Sequence, residues 1–399
     1  MQLEIPGRPH LGYCTNIHAG ETWAEIDAAL RAHLPKVKSR LCPDRPMGVG
    51  LRLSSIASES LAQPREVAAL KAFLAEGGFY VFTVNAFPYG PFHGQRVREN
   101  VYLPDWRTPE RLAFTTRVAD ILVQLTPPGA ASSISTVPGG FKSHIATADD
   151  ISQVADGLVR CAAHLHDIAR KHDRVISLAI EPEPACFLET TEEAIAFFGE
   201  HLFSKAARDQ FAAMAGVTDA AAERALRTHL GLCLDVCHSA VEFEHVRPTL
   251  DAIAQAGIGI AKLQLSAALR VPTIDGPTAT RLQDFDDGVY LHQAVQQDAG
   301  RITRFTDLPE ALAAYARGEA GGEWRVHCHV PVFLERFDVL SSTQDTLREM
   351  LAVCRERPVS PHLEVETYTW SVLPPELRGE SLTDDIVREL SWVAAELGQ

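Results

Sequence analysis

The sequence lacks the features that mark membrane and secreted proteins. No run of about 18 apolar residues is present, which is the length that a membrane-spanning helix requires. The first residues, MQLEIPGRPHLGYC, do not combine a basic start with an apolar core, so we expect no signal peptide. The eight cysteines stand mostly singly in apolar segments, without zinc-finger CxxC pairs, which is typical of reduced thiols in a cytoplasmic protein.

An excess of positive charge is also missing. The chain carries 37 Lys and Arg against 52 Asp and Glu, a formal net charge of −15 at pH 7. Proteins that bind the phosphate backbone of nucleic acids present a basic surface, so we expect no nucleic-acid partner. Of the 399 residues 46% are hydrophobic, which suffices for one elaborated barrel or for two domains.

Short apolar segments alternate with amphipathic helical segments along the chain, as in parallel α/β folds. Eight strands are predicted, at 11–16, 47–54, 79–85, 132–137, 175–180, 232–235, 258–265 and 362–368. Eight such units predict an α/β fold of the (β/α)8, or TIM-barrel, type that spans residues 1–399 as a single domain.

The segment 324–330 is a ninth strand candidate, one more than the barrel can hold. About a hundred residues separate the seventh and eighth strands, far more than one loop between a strand and a helix needs. We therefore expect a long insertion at about 270–330. His327 and His329 lie either in its return towards the barrel, which we favour, or on a true barrel strand.

A second long irregular segment, 86–106, mixes aromatic and polar residues without periodicity and includes His93. Loops of this length are uncommon unless they are functional. We interpret the segment as a pocket wall or a lid, with an ordinary packed loop as the alternative. Asn85, where the third strand ends, is assigned to substrate binding together with His327 and His329. Both histidines are alternatively further metal ligands or simply packed side chains.

Oxygen-bearing side chains stand at the ends of the late strands, where barrel enzymes build their active sites. They are Glu181 after strand five, Asp235 with His238 after strand six, Gln264 in strand seven, and Glu366 or Glu364 in strand eight. Buried carboxylates are costly without a positive partner, and few Lys or Arg stand near them in sequence. A divalent cation is the simplest partner, with Glu181, Asp235, Gln264 and Glu366 as its predicted ligands.

Such an oxygen-rich site favours Mn²⁺ or Mg²⁺, with Zn²⁺ as the alternative if a histidine joins. Asp235 taken alone could equally cap the helix that follows its strand. Glu366 is preferred to Glu364 as a ligand because it is nearer the strand's end. Glu364 would then lie deeper, paired with a cation.

This ligand set resembles that of the xylose isomerase-like barrel superfamily, which includes sugar epimerases, hydroxypyruvate isomerase and endonuclease IV. The resemblance implies one metal ion held on strands five to eight. Glu189 falls where ketose 3-epimerases carry a substrate-binding acid. Endonuclease IV requires more histidines on the early strands, where this chain has Ser54 and Asn85, so a trinuclear zinc site is not expected.

Five stretches together resemble the EboE family nearly from end to end: GYCTNIHAGETW, EPEP, LDVCHSAVEFE, HCHVPVF and HLEVETYTW. EboE proteins come from ebo gene clusters and are called metabolite-traffic proteins, after a proposed part in moving a secondary-metabolite precursor. The resemblance implies a small-molecule metabolite as partner. Contact with other proteins of the cluster, and oligomerisation, remain open.

Three functions are compatible with these residues. The first is a metal-dependent isomerase or epimerase of a sugar, a sugar phosphate or a keto compound, in which Glu181 and Glu366 transfer a proton and His238 orients a substrate oxygen. The second is a protein that binds a metabolite at the same metal site without converting it. The third is a metal-dependent hydrolase of the endonuclease IV-like type.

Overall fold

The computed structural model describes residues 1–92, 97–127, 129–371 and 373–399. His93 lies outside these ranges. Eight strands form one parallel sheet: β1 (His10–Tyr13), β2 (Met47–Arg52), β3 (Phe79–Asn85), β4 (Ser132–Thr136), β5 (Ile176–Ile180), β6 (Leu230–Asp235), β7 (Gly259–Leu265) and β14 (His362–Val365). Six further strands lie between β7 and β14: β8 (Ala267–Val271), β9 (Ala294–Asp298), β10 (Arg301–Phe305), β11 (Glu323–Val330), β12 (Arg336–Phe337) and β13 (Leu340–Ser342).

One or more helices connect most of the successive barrel strands. They are α1 (Trp23–Leu41), α2 (Ser55–Leu61), α3 (Pro64–Gly77), α4 (Pro109–Leu125), α5 (Ala148–His172), α6 (Thr191–Phe197), α7 (Lys205–Ala215), α8 (Asp219–His229), α9 (Val236–Val241), α10 (Val246–Gln255), α11 (Gly276–Leu282), α12 (Leu308–Ala316), α13 (Gln344–Glu356) and α14 (Leu382–Glu396). Within the described ranges, none of them is both long and apolar enough to cross a membrane.

The parallel sheet curls into a nearly closed barrel. Its strand order is β1-β14-β7-β6-β5-β4-β3-β2, and a parallel bridge between Cys14 and Gly50 joins the two end strands. Strands such as β2 and β6 are buried along their whole length, because side chains fill the inside of the barrel and helices cover the outside. The predicted (β/α)8 barrel is confirmed.

The insertion between the seventh and eighth barrel strands forms a second sheet. It is antiparallel, with the order β10-β9-β11-β8-β13-β12, and it has an apolar core of its own around Leu269, Trp324 and Val326. The sheet runs from Ala267 to Ser342, wider at both ends than the expected 270–330. His327 and His329 lie on β11, so they belong to the insertion and not to a barrel strand.

Inside the barrel, Lys262 and Glu364 form an ion pair in which both side chains are 0% exposed. Lys262 also donates to Ser135 Oγ at 3.1 Å. Desolvation acts to lower the pKa of Lys262, but Glu364, Glu366 and two neighbouring thiols together outweigh it and raise that pKa. Gly50 makes room for this pair, since a Cβ there would lie 1.5 Å from Glu364 Oε1. Glu364 on β14 is thus the deeper, cation-paired acid, and Glu366 follows the end of that strand.

We predict that Lys262→Met destabilises the protein by about 3–5 kcal/mol, because it leaves the Glu364 carboxylate buried without a counter-charge. Urea unfolding measures the change. The double variant Lys262→Met/Glu364→Gln should recover much of the loss. The matched control is Arg247→Met, which removes an exposed ion pair with Glu356 and should leave the free energy of unfolding nearly unchanged. Equal effects of the buried and exposed changes would contradict the prediction.

Candidate metal centre and pocket

Three predicted metal ligands lie together at the carboxyl end of the barrel. Glu181 directly follows β5, Asp235 is the last residue of β6, and Glu366 directly follows β14. All three side chains are buried, and one carboxylate oxygen from each lies within 4.8 Å of the others. Parallel strands bring their carboxyl ends to one rim, which is why residues far apart in sequence meet here.

Gln264, the fourth predicted ligand, lies at the same rim but presents a different group. Its amide nitrogen donates to Glu366 Oε2. Its amide oxygen accepts a hydrogen bond from the thiol of Cys233, and the sulfur and oxygen atoms are 3.1 Å apart. The oxygen predicted to bind a metal therefore faces a neighbouring strand, and the amide NH₂ group orients Glu366.

Two carboxylate oxygens at this rim are left without hydrogen-bond partners among the described residues. They are Glu181 Oε2 and Asp235 Oδ2, both fully buried. An unsatisfied buried acceptor costs about 1–3 kcal/mol, and more when it is charged. The donor set of three clustered carboxylates therefore fits a bound cation, which would satisfy both oxygens at once.

The electrostatics lead to the same conclusion. Burial, together with the charges of Glu366 and Asp235, raises the pKa of Glu181 well above its usual value. Burial also raises the pKa of Glu366 to about 8, although Lys262 opposes the shift. Without a cation these carboxylates cannot all be ionised near neutral pH, because each charge repels the others across a short, desolvated distance.

Three histidines adjoin the carboxylates. His238 is on α9, one turn after Asp235, while His327 and His329 alternate along β11 and therefore share a face of that strand. The Nε2 atoms of His238 and His327 are 3.1 Å apart. Ligand-type atoms of Asp235, His238 and His329 lie within 4.8 Å of one another, so a second residue group here could hold a metal ion.

Asp235 belongs to both groups and is held rigidly. Its Oδ1 accepts the backbone N–H of His238 at 3.1 Å and the hydroxyl of Ser266 at 2.7 Å. The hydrogen bond from the backbone N–H of His238 caps α9. Asp235 can therefore cap this helix and still be the predicted metal ligand. Burial acts to raise the pKa of Asp235, but His238, His329 and the two hydrogen bonds to Oδ1 together outweigh it and lower that pKa.

Asn85 points at Glu366 and lines the same pocket. Its Nδ2 donates to Glu366 Oε1 at 3.1 Å, and Asn16 Nδ2 donates to the same oxygen at 2.6 Å. Sequence reasoning missed Asn16, although it comes just after β1 and so stands at the same rim of the barrel. Its position at a strand's carboxyl end was the signal that could have identified it.

A second acid of the EPEP stretch, Glu183, also lines the pocket. The hydroxyl of Tyr102 donates to its Oε1 at 2.8 Å, and His327 Nδ1 lies 3.6 Å from the same oxygen. Burial raises the pKa of Glu183 to about 8, with the Tyr102 hydrogen bond opposing the shift. Tyr102 comes from the segment interpreted above as a pocket wall, and its 3₁₀ turn, Arg98–Tyr102, lies along the pocket.

Glu189 does not lie beside the other predicted site residues. Its carboxylate accepts hydrogen bonds from Lys142 Nζ at 2.6 Å and from the backbone N–H of Ala185 at 2.7 Å, and it does not line the pocket that Glu181 and Glu366 share. The side chains that close this pocket are largely aromatic. They include Phe87, Phe92, Tyr102, Tyr290 and Tyr368.

No protein-family model matches the sequence, and no curated protein matches it. Among solved structures the chain is similar to the IolI protein with a bound zinc atom, at 13% identity over 98% of both chains with a TM-score of 0.47. It is similar to the 3-keto-D-glucoside 4-epimerase YcjR from E. coli, at 11% identity over 97% of this chain and 99% of that one, TM-score 0.45. A xylose isomerase-like TIM barrel protein from Mycobacterium smegmatis in complex with magnesium has 10% identity over 99% and 98%, TM-score 0.46. These neighbours are xylose isomerase-like TIM-barrel proteins.

We predict that Asp235→Ala abolishes most binding of divalent ions, because Asp235 contributes an oxygen to two of the residue groups that could hold one. Chelator-treated protein is titrated with Mn²⁺, Mg²⁺ or Zn²⁺, and the bound metal is measured by mass spectrometry. His238→Ala should weaken binding at the carboxylates less. The control is Asp209→Ala on the exposed face of α7. Occupancy like that of the wild type in Asp235→Ala would contradict the prediction.

The metal-free protein should lose stability as the pH rises from about 4.5 to about 8. Glu183 and Glu366 keep their protons up to a pKa of about 8 when folded, against 4.5 ordinarily. Their contribution to the free energy of unfolding is complete below pH 4.5. Above that pH it falls by about 1.4 kcal/mol per pH unit for each proton that the folded protein retains. Urea unfolding at several pH values measures the slope. Glu366→Gln should flatten it, as should a bound divalent ion. An unchanged slope in Glu366→Gln would argue against this assignment.

Proposed function

We propose that the protein is a metal-dependent isomerase or epimerase that acts on a small sugar, sugar phosphate or keto compound. One observation carries the proposal. Glu181 and Glu366, two buried carboxylates whose pKa values are both raised, reach one pocket from strands β5 and β14. These strands are three positions apart in the barrel, so a small molecule can lie between the two acids.

The two acids differ in how they are held, and this assigns their roles. Glu181 Oε2 has no hydrogen-bond partner among the described residues; with one oxygen of Glu181 on the metal ion, the other would take a proton from a carbon next to a carbonyl. Glu366 is oriented by amide donors on both of its oxygens. It would return a proton on the other side of the carbon. A raised pKa suits both steps, because acid–base groups act best with a pKa near the working pH.

A divalent ion bound at Glu181, Asp235 and Glu366 would polarise the substrate carbonyl and stabilise the negative charge that forms next to it. The oxygen-only donor set of these residues supports Mn²⁺ or Mg²⁺. The residues of the pocket would keep this negative charge away from water, in surroundings where electrostatic interactions are stronger than in solution.

The remaining pocket residues are assigned by position. His238, His327, His329 and Asn85 line the pocket, and we propose that they contact the substrate, with His238 orienting one of its oxygens. Glu189 is left out of this set because it pairs with Lys142 away from the pocket.

Sequence stretches, the cysteines and the net charge support proposals for the metabolite and the compartment. The EboE-like stretches support a secondary-metabolite precursor as the compound handled, within an ebo-type pathway. The eight cysteines are free and buried, which supports a reducing, cytoplasmic location. The net charge of −15 disfavours nucleic acid as the substrate and with it the endonuclease IV-like alternative.

Binding of a metabolite without turnover is the second candidate, and three hydrogen bonds to Glu366 favour it. Asn16, Asn85 and Gln264 all donate to Glu366, which leaves this carboxylate with few free lone pairs for proton transfer. A carboxylate held by three hydrogen bonds is better suited to keeping its negative charge in one place than to exchanging protons. The two candidates share the pocket and the metal site, so they differ only in whether a proton moves.

Exchange of substrate hydrogen with solvent deuterium separates the two candidates. The metal-loaded protein is incubated in D₂O with a panel of ketoses, sugar phosphates and keto acids, and incorporation is followed by NMR. We expect incorporation by the wild type. Glu181→Gln and Glu366→Gln should lose at least ~100-fold in rate while still binding metal, more weakly.

The control is Glu192→Gln, an exposed acid in the first turn of α6, which should leave exchange unchanged. Compounds that raise the melting temperature of the wild type without exchanging any hydrogen would contradict the isomerase proposal and support metabolite binding.

A further inference from the structure

Two kinds of residue line the pocket that Glu181 and Glu366 share. Carboxylates, asparagines and histidines come from the barrel rim, from α9 and from β11. Aromatic and aliphatic side chains come from three other places: the described residues of 87–102, residues 290–291 in the insertion, and Tyr368 after β14. The polar residues suit a metal ion and substrate oxygens, so the apolar ones indicate what else the ligand carries.

Three of these apolar side chains form an aromatic wall: Phe92, Tyr290 and Tyr368. Their ring centroids are 5.1 Å apart for Phe92 and Tyr290, and 5.3 Å apart for Phe92 and Tyr368. The rings of Tyr290 and Tyr368 are centred 5.4 Å apart. The Tyr368 ring is also centred 4.8 Å from the ring of His329. The wall therefore starts directly beside the polar residues, and one small molecule can contact both.

Two of the tyrosine hydroxyls in this pocket are used within the protein. The Tyr290 hydroxyl donates a hydrogen bond to the backbone oxygen of Phe92 at 3.1 Å. The hydroxyl of Tyr102, which also lines the pocket, donates to Glu183 Oε1 at 2.8 Å. Each hydroxyl has a single hydrogen to donate. These tyrosines therefore present their rings, and not a donor, to a ligand.

The part of a ligand that lies against the aromatic wall should accordingly be apolar and uncharged. A sugar carries a hydroxyl on nearly every carbon, and a hydroxyl that leaves water without gaining a hydrogen bond opposes binding. A phosphate would need a cation. Arg98 is the only Lys or Arg among the described residues that line the pocket, and it already pairs with Asp307 at 2.5 Å. A sugar chain or a phosphate thus suits this part of the pocket less well than an apolar group does.

The geometry of the aromatic wall favours a flat ring as this apolar group. The ring planes of Phe92 and Tyr368 meet at 63°, and those of Tyr290 and Tyr368 at 72°, which are edge-to-face arrangements. Aromatic rings attract one another in this arrangement because ring edges are positive and ring faces negative, and this attraction adds to the gain from buried area. A ligand ring can join the cluster in the same way, whereas an alkyl chain gains only from buried area.

We propose that the ligand of this pocket is a hydroxy ketone that carries an aromatic ring. Its carbonyl and hydroxyl oxygens lie at the carboxylate end, and its ring packs against Phe92, Tyr290 and Tyr368. The inference deepens the proposed function, and it rests on that function for the placement of the carbonyl. Among the compounds considered there, it selects a keto compound over a sugar or a sugar phosphate.

A series of hydroxymethyl ketones that share one polar end tests the proposal. They differ in the group on the carbonyl: phenyl in phenacyl alcohol, butyl in its alkyl analogue, methyl in hydroxyacetone, and dihydroxyethyl in erythrulose. Calorimetric titration of the full-length, magnesium-loaded protein gives the dissociation constants. We expect phenacyl alcohol to bind at least ~10-fold more tightly than hydroxyacetone and erythrulose, because only its ring can pack on the aromatic wall. It should also bind more tightly than the butyl compound.

Variants of Tyr290 locate the preference. Tyr290→Ala should weaken the binding of phenacyl alcohol at least ~10-fold and leave that of hydroxyacetone nearly unchanged, since hydroxyacetone does not reach the wall. Tyr290→Phe keeps the ring and should keep the preference. The control is Tyr315→Ala on α12, which removes a tyrosine of the insertion that does not line the pocket and should leave both affinities unchanged.

The ligand series on the wild type decides the question even if a variant fails to fold. Tighter binding of erythrulose or of the butyl compound than of phenacyl alcohol would overturn the inference, as would equal binding or no binding of the whole series. A phenyl preference that survives in Tyr290→Ala would overturn it too. Hydrogen exchange in D₂O is followed on the same compounds. Exchange in erythrulose without a phenyl preference would leave the proposed function standing, whereas a phenyl preference without any exchange would support this inference and overturn the isomerase proposal.

Discussion

Buried negative charge at the carboxyl end of the barrel is the constraint on which the rest of the structure depends. Glu181, Asp235, Glu364 and Glu366 are all buried there, and the described residues supply one buried lysine, Lys262, inside the barrel. That lysine is paired with Glu364, so the three remaining carboxylates have no fixed counter-charge. The barrel therefore satisfies its own deepest acid and leaves a ring of acids whose charge only protons or a metal ion can balance.

The insertion brings histidine side chains to the pocket that the barrel strands do not provide. A single residue, Ser266, separates β7 from β8, so the second sheet starts at the rim of the site. Ser266 donates a hydrogen bond to Asp235 Oδ1 and accepts one from the backbone N–H of Cys237, which ties the junction to a predicted metal ligand. From this sheet β11 returns with His327 and His329. The pocket thus combines oxygen donors from the barrel with nitrogen donors from the insertion.

Much of this arrangement was predictable from sequence, for a physical reason. Barrel strands are continuous apolar runs, and the first polar residue after such a run must lie at the rim, so Glu181 and Asp235 could be located without coordinates. The orientation of Gln264 and the position of Glu189 could not. Each depends on which neighbour a flexible polar side chain meets in the folded protein, and sequence spacing carries no information about that.

The stretch HLEVETYTW, residues 362–370, also has a structural part. Glu389 on α14 accepts hydrogen bonds from Thr367 Oγ1, Trp370 Nε1 and the backbone N–H of Val332. One carboxylate thereby holds the residue after Glu366 and the end of β11. Thr367 and Trp370 are explained by this contact, not by contact with a ligand. Within the motif, Glu366 faces the pocket, and Thr367 and Trp370 anchor the backbone that follows it.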